Sequence, residues 1–165
     1  MSATSASPAP APASSERRAW MAVLARTPRA DLEAAMERAL HGLPTPAYDW
    51  LRPPEIGLAM VRGRVGGSGD PFNLGEATVT RATLRLRVPD DALATVGVAC
   101  HLGRDRRRAE LAALADALLQ MPELHAALHR QLVEPFAAQQ AARRAERQRN
   151  AAATRVEFFT MVRGE

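Results

Sequence analysis

The sequence predicts an α+β fold: an antiparallel meander sheet of about four to five strands, with helices packed mainly on one face. Three observations carry that reading. Apolar residues recur at helical spacing from Glu16 to about His41, at a spacing of two from Tyr48 to Leu102, and at helical spacing again from Asp105 onward. Consecutive strands bracketed by helices favour neighbouring antiparallel pairs over βαβ crossovers. The 165 residues, 47% of them hydrophobic, suffice for one domain with a core of its own and no disulfide staples.

Residues 1–14 form a Ser/Ala/Pro string that reads as a disordered arm, leaving 15–165 as a single α+β domain. Ser14 or Ser15 can cap a helix from Glu16 to Arg26, whose Trp20, Val23 and Leu24 share a face. Thr27-Pro28 is a second start, a hydroxyl cap followed by a first-turn proline. That helix carries Leu32, Ala35, Met36 and Ala39 and is stopped by Gly42 and Pro44. Tyr48 to Arg52 reads as a short edge strand closed by Pro53-Pro54. Ile56 to Val65 is the next strand. Phe72 to Val88 follows, bent near Gly75, with Ala82, Leu84, Leu86 and Val88 on one face and Arg81, Thr83, Arg85 and Arg87 on the other. Pro89-Asp90-Asp91 turns the chain into a strand from Leu93 to Leu102, where Val96, Val98, Cys100 and Leu102 share a face that places Cys100 in the core. Asp105 to Met121 is the strongest helix, with Leu111, Leu114, Ala115 and Leu118 as its apolar stripe. Pro122 opens another helix that Pro135 kinks or breaks. Gln139 to Ala153, rich in arginine and alanine, reads as a solvated helix, and Thr154 to Val162 as a final strand.

Composition excludes several function classes. All 22 basic residues are arginine, which removes Schiff-base and Walker-lysine chemistry. Cys100 is the single cysteine, so no internal disulfide forms and a reducing cytoplasmic setting is the simplest fit. No apolar run approaches the roughly 20 residues that span a bilayer, and the N-terminal string lacks the basic start and apolar stretch of a secretory signal. A net charge of +4 leans toward acidic or phosphate-bearing partners. His125 and His129 stand four apart on a helix, but no third ligand accompanies them, so no metal centre is expected. Arg143, Arg144, Arg147 and Arg149 form a basic run, yet with so few aromatic side chains no nucleic-acid partner is expected.

Four segments are candidates for function. Gly66, Gly67 and Gly69 let a backbone approach an anion closely, with Arg62 just before them; the bland alternative is a glycine-rich hairpin turn. Arg104 and Arg106 to Arg108 crowd a helix N-terminus, where positive charge opposes the helix dipole. Either a bound anion or partner carboxylate offsets it, or solvent screens it. Arg81 and Arg85 lie on the non-core face of the sheet, a solvent face or one met by an acidic partner. Phe158 and Phe159 point to opposite faces of a strand that also carries Met161 and Arg163, which favours contact with another chain.

Five pieces in order are similar to the PhnG family of the bacterial carbon–phosphorus lyase core complex. They are Arg18 to Ala25, Arg62 to Gly69, Phe72 to Arg81, Leu102 to Asp105 and Thr154 to Gly164, with the terminal piece the most particular. The resemblance implies a cytoplasmic subunit of a transferase that converts ATP and methylphosphonate to α-D-ribose 1-methylphosphonate 5-triphosphate and adenine in phosphonate catabolism. It implies PhnI-, PhnH- and PhnJ-like partners in a complex with two copies of each, and a PhnL-like protein acting alongside. MgATP is then a substrate of the complex, this chain binds no cofactor alone, and the iron–sulfur radical step lies in the PhnJ-like subunit. No catalytic residue carries over. Arg62, Gly66, Gly67, Gly69, Arg104 and Arg155 are the anion-site candidates, and Arg81, Arg85, Phe158, Phe159, Met161 and Arg163 the interface candidates. A scaffold that only assembles the complex is the alternative.

Overall fold

A computed structural model describes residues 12–43, 46–87 and 95–153. Two helices, α1 (Pro12–Leu24) and α2 (Arg29–Ala39), precede strands β1 (Tyr48–Arg64), β2 (Pro71–Leu86) and β3 (Val96–Leu102). Helices α3 (Arg106–Leu119), α4 (Pro122–Leu128) and α5 (Glu134–Ala153) follow. The sheet is antiparallel in the order β1-β2-β3, and Ala82, Leu84 and Leu86 point from it into the helical layer. The fold is therefore α+β with the helices on one face, but three strands are present among the described residues where the sequence predicts four to five.

Part of that difference lies at Pro53-Pro54, which do not divide a short strand from a long one. β1 runs through both, with register irregularities on either side of Arg52. Both prolines fall in the register break between Arg52 and Glu55 and have no ladder partner, so their missing N–H groups leave no ladder bond unmade. The predicted strand from Thr154 to Val162 lies outside the described residues, as do Val88 to Ala94 and Met1 to Ala11.

α1 starts at Pro12, so Ser14 and Ser15 sit inside the helix rather than capping it. Thr27 does not cap α2 either: its hydroxyl donates back to the Val23 carbonyl at 2.9 Å, and Pro28 occupies the cap position without a side-chain bond. Thr27 thus closes α1. Asp105 caps α3 as predicted, accepting from the Arg108 amide at 3.0 Å. Beyond α4, a π turn at His129–Val133 leads into α5, whose second residue is Pro135. Proline cannot donate to the preceding turn, and widening that turn lets the helix continue instead of breaking.

The alternation of β3 is as the sequence reads it, but its phase is reversed. Gly97, Ala99 and His101 face the core, while Cys100 and Leu102 are exposed. The cause is the approach of α3: a Cβ on Gly97 would lie 1.9 Å from the Ala113 carbonyl oxygen and 2.8 Å from the Ala117 Cβ. Only the smallest side chains fit under that helix, so Val96 and Val98 turn away from it.

The helical layer is held by Leu24, Leu32, Leu118, Leu119 and Leu132, all fully buried. One charge lies among them. Asp116 on α3 has no exposed surface and accepts from Arg17 Nε and Nη2 at 3.2 and 2.7 Å, Trp20 Nε1 at 2.8 Å and the Val98 amide at 2.9 Å. These bonds tie α1, α3 and the edge of β3 together, and they offset the cost of burying a carboxylate.

Candidate functional site

Two surfaces stand out once the core is placed. The first is an arm. β3 ends opposite Val79, so the strands between there and the Val65–Gly67 turn form a two-stranded ribbon with no third strand beside it among the described residues. Opposite residues share a face. On the face continuous with the core lie Ile56, Leu58 and Met60; Val61 lies on the other. Leu58 is 65% exposed and Met60 53%, and Val65, Phe72 and Leu74 near the tip are also exposed. Leu74 stands at a bulge, between the pairs Val61 with Gly75 and Arg62 with Asn73, and Gly75 takes φ 150° there. A bare two-stranded ribbon is marginal in water, and an apolar patch of this extent marks a contact surface.

The glycine loop is the tip of this arm. Gly66 and Gly67 adopt φ 60° and 80°, and Arg64 Nη1 donates to the Gly69 carbonyl at 3.0 Å. The loop joins two strands, the geometry of a hairpin turn rather than of a strand-to-helix phosphate loop. Arg62 is exposed beside it. Arg104 is elsewhere: its neighbour Gly103 bonds the Thr78 carbonyl, and the seven residue-to-residue steps from Thr78 to Pro71 put the tip roughly 23 Å away. The structure does not bring Arg62, Gly66, Gly67 and Gly69 together with Arg104. Arg155, Phe158, Phe159, Met161 and Arg163 lie outside the described residues.

Within the arginine cluster at the head of α3, Arg107 alone is ion-paired among the described residues. Arg107 pairs with Glu110 at 2.8 Å and with Glu33 of α2 at 3.3 Å. Glu110 also accepts from the Tyr48 hydroxyl at 2.7 Å, and burial, with the acceptor beside it, pushes the Tyr48 pKa up to about 12. The sheet-face stripe is similar. Arg81 pairs with Glu55 at 2.6 Å and Arg87 with Asp49, whose pKa the hydrogen bond from Arg87 lowers; Arg85 has no ion pair among the described residues.

The second surface is a cleft of about 760 Å³ between the end of α1, the end of β3 and the middle of α5. Arg26, Arg108, Arg143, Arg144 and Arg147 line it, with Gln140, Cys100, His101 and Leu102, and no acidic residue does. His101 is buried and its two ring nitrogens lie 3.0 and 2.9 Å from the Leu102 and Asp105 carbonyls, so it acts as a strut behind the wall. Sequence reading treats Arg143, Arg144 and Arg147 as a solvated run and misses the cleft, because its α1 and α5 walls are more than 100 residues apart. On α4, His125 Nδ1 lies 2.7 Å from the Leu119 carbonyl and its ring packs 5.5 Å from Trp20; His129 lies 3.3 Å from Glu134.

Comparison with known proteins places this arrangement. Residues 15–164 match the family described as "Phosphonate metabolism protein PhnG". The chain belongs to the PhnG family. It is also 51% identical over 154 residues, 91% of this chain and 90% of the relative, to the α-D-ribose 1-methylphosphonate 5-triphosphate synthase subunit PhnG of Rhizobium meliloti (strain 1021). The family expectation formed from the five sequence pieces is thereby met. PhnG as a subunit suits a fold whose apolar arm is left exposed by the described residues.

Proposed function

We propose that this chain is the PhnG subunit of an α-D-ribose 1-methylphosphonate 5-triphosphate synthase in a carbon–phosphorus lyase system, acting inside the complex rather than alone. Family membership and the role printed for the 51% identical relative support the activity. The observation that carries the subunit reading is the arm, with Leu58 and Met60 exposed on the ribbon past the end of β3. Its partners are PhnI-, PhnH- and PhnJ-like chains, two copies of each, with a PhnL-like protein alongside. MgATP is a substrate of the complex, which works in the cytoplasm.

In this reaction the bond from the ribose carbon to adenine breaks, a bond from that carbon to a phosphonate oxygen forms, and adenine leaves with a proton. Water competes for the same carbon. Among the described residues no cluster of metal-ligating side chains is assembled, and the part we assign to this chain is to position anions and exclude water. Docking of the arm would carry Arg62 and the glycine loop toward a partner's active site. Arg104, about 23 Å from that tip, would act at a different surface.

The test is reconstitution with the PhnI-like partner, assaying adenine and the ribosyl phosphonate separately. Leu58→Asp with Met60→Asp is expected to abolish co-purification while leaving the isolated chain folded. Arg62→Ala is expected to keep assembly and lower phosphonate product relative to adenine. If the arm variant still assembles, the docking reading fails. The scaffold alternative wins if Arg62→Ala and Arg104→Ala leave turnover unchanged while Phe159→Asp blocks assembly.

A further inference from the structure

The cleft between α1, β3 and α5 has a chemistry of its own. Five arginines from three places in the chain line it: Arg26 past the end of α1, Arg108 in the first turn of α3, and Arg143, Arg144 and Arg147 along α5. None of the five lies within 4.0 Å of a carboxylate among the described residues, whereas Arg17, Arg81, Arg87 and Arg107 each do. Arg108 is the most constrained. One of its terminal nitrogens donates to the Ala25 carbonyl, its Nε is buried without a partner, and burial lowers its pKa below the ordinary value. Arg108 is half-buried and Asp105 answers its charge only from beyond ion-pair distance, which leaves room for an anion beside it.

The strand wall adds donors. Leu86 bonds the Thr95 carbonyl and Gly103 the Thr78 carbonyl, so the ladder to β2 runs through the odd-numbered residues of β3. The amides of Val98, Cys100 and Leu102 therefore face the open edge. Asp116 takes the first; the other two remain beside the arginines. Planar guanidinium groups and backbone N–H donors together match the oxygens of phosphoryl groups, and the cavity is large enough for several linked phosphates.

We propose that this cleft is a binding site for a polyphosphate-bearing small anion. Binding itself does not depend on the synthase reading; a role for it in turnover does, because ATP and the ribosyl triphosphate product both belong to this ligand class.

The probe is inorganic tripolyphosphate, titrated calorimetrically into the full chain at low and moderate salt. Saturable binding of one equivalent, weakened by salt, is expected. Arg143→Gln with Arg144→Gln, both on an exposed helix face, is expected to lower affinity about tenfold or more. Arg108→Gln should do the same where its melting curve shows it folded. The charge-matched pair Arg38→Gln with Arg130→Gln, outside the cleft, is expected to bind as the parent does. Absence of saturable binding, equal losses in both pairs, or undiminished affinity in the cleft pair overturns the proposal. So does tighter binding of an acidic peptide or of a single-stranded oligonucleotide than of tripolyphosphate, since each means that the cleft serves a macromolecule. A reconstituted complex that binds tripolyphosphate but forms no ribosyl phosphonate defeats the synthase reading and leaves the site standing.

Discussion

Asp116 gathers four donors while having no exposed surface, so its substitution separates two effects. Asp116→Ala leaves a part-buried arginine, an indole N–H and a strand amide without their acceptor, and a loss of about 3–5 kcal/mol in urea unfolding is expected. Asp116→Asn keeps one acceptor oxygen and is expected to cost less. Gly97→Ala is expected to be nearly as severe as Asp116→Ala: the new methyl would meet the α3 backbone, and backbone cannot swing aside as a side chain can, so about 3 kcal/mol or loss of folding follows. Tyr48 supplies a pH dependence. Its pKa is raised from 10.0 to about 12, so between those values the folded state holds a proton that the unfolded state has released. The contribution is complete below pH 10 and is lost as pH climbs toward 12. Unfolding curves at pH 9 and pH 11 should diverge for the parent chain and diverge less for Tyr48→Phe.

At the scale of elements, the arm and the helix-backed part of the sheet differ in what protects their hydrogen bonds. Amides of β2 beside β3 lie under α3, whereas those between Pro71 and Thr78 have only one neighbouring strand. Hydrogen exchange in the isolated chain is expected to be fast along the ribbon and slow in α3 and at Ala82, Leu84 and Leu86, and the ribbon should become protected on assembly. Helices and strands were legible because their periods differ, and Asp105, Pro122 and the glycine loop announced their own boundaries. Two elements were not. The phase of β3 depends on how closely α3 packs, a long-range fact that Val96 and Val98 do not carry locally. The continuity of β1 depends on the bulge between Arg52 and Glu55, which spares Pro53 and Pro54 the loss of a ladder bond. Asp116 was visible, a carboxylate set within an apolar helical stripe, and that pattern is the signal by which the buried network could have been found.

For the molecule as a whole, family and fold class could be read from the sequence, while the arginine cleft could not. Arg26, Arg108 and Arg143 are neighbours only after the helices close over β3, and each taken singly reads as a surface charge. The reverse holds for Arg81, whose exposed position invited a partner's carboxylate and whose acid is its own strand neighbour Glu55. Removing that internal pair by Glu55→Gln is expected to change stability by no more than about 0.5 kcal/mol, because both groups are about half exposed, and thermal melting checks it. The proline pair in β1 has a last consequence, for association between copies. β3 ends in an open edge, so a second molecule could add there by offering its own outer strand. That strand is β1, and at Pro53 and Pro54 it has no N–H to give. Head-to-tail growth needs both edges of every sheet to pair, and the outer strand of this sheet is interrupted by a bulge whose two prolines offer no donor, a built-in stop against filaments for a chain that exposes so much apolar ribbon.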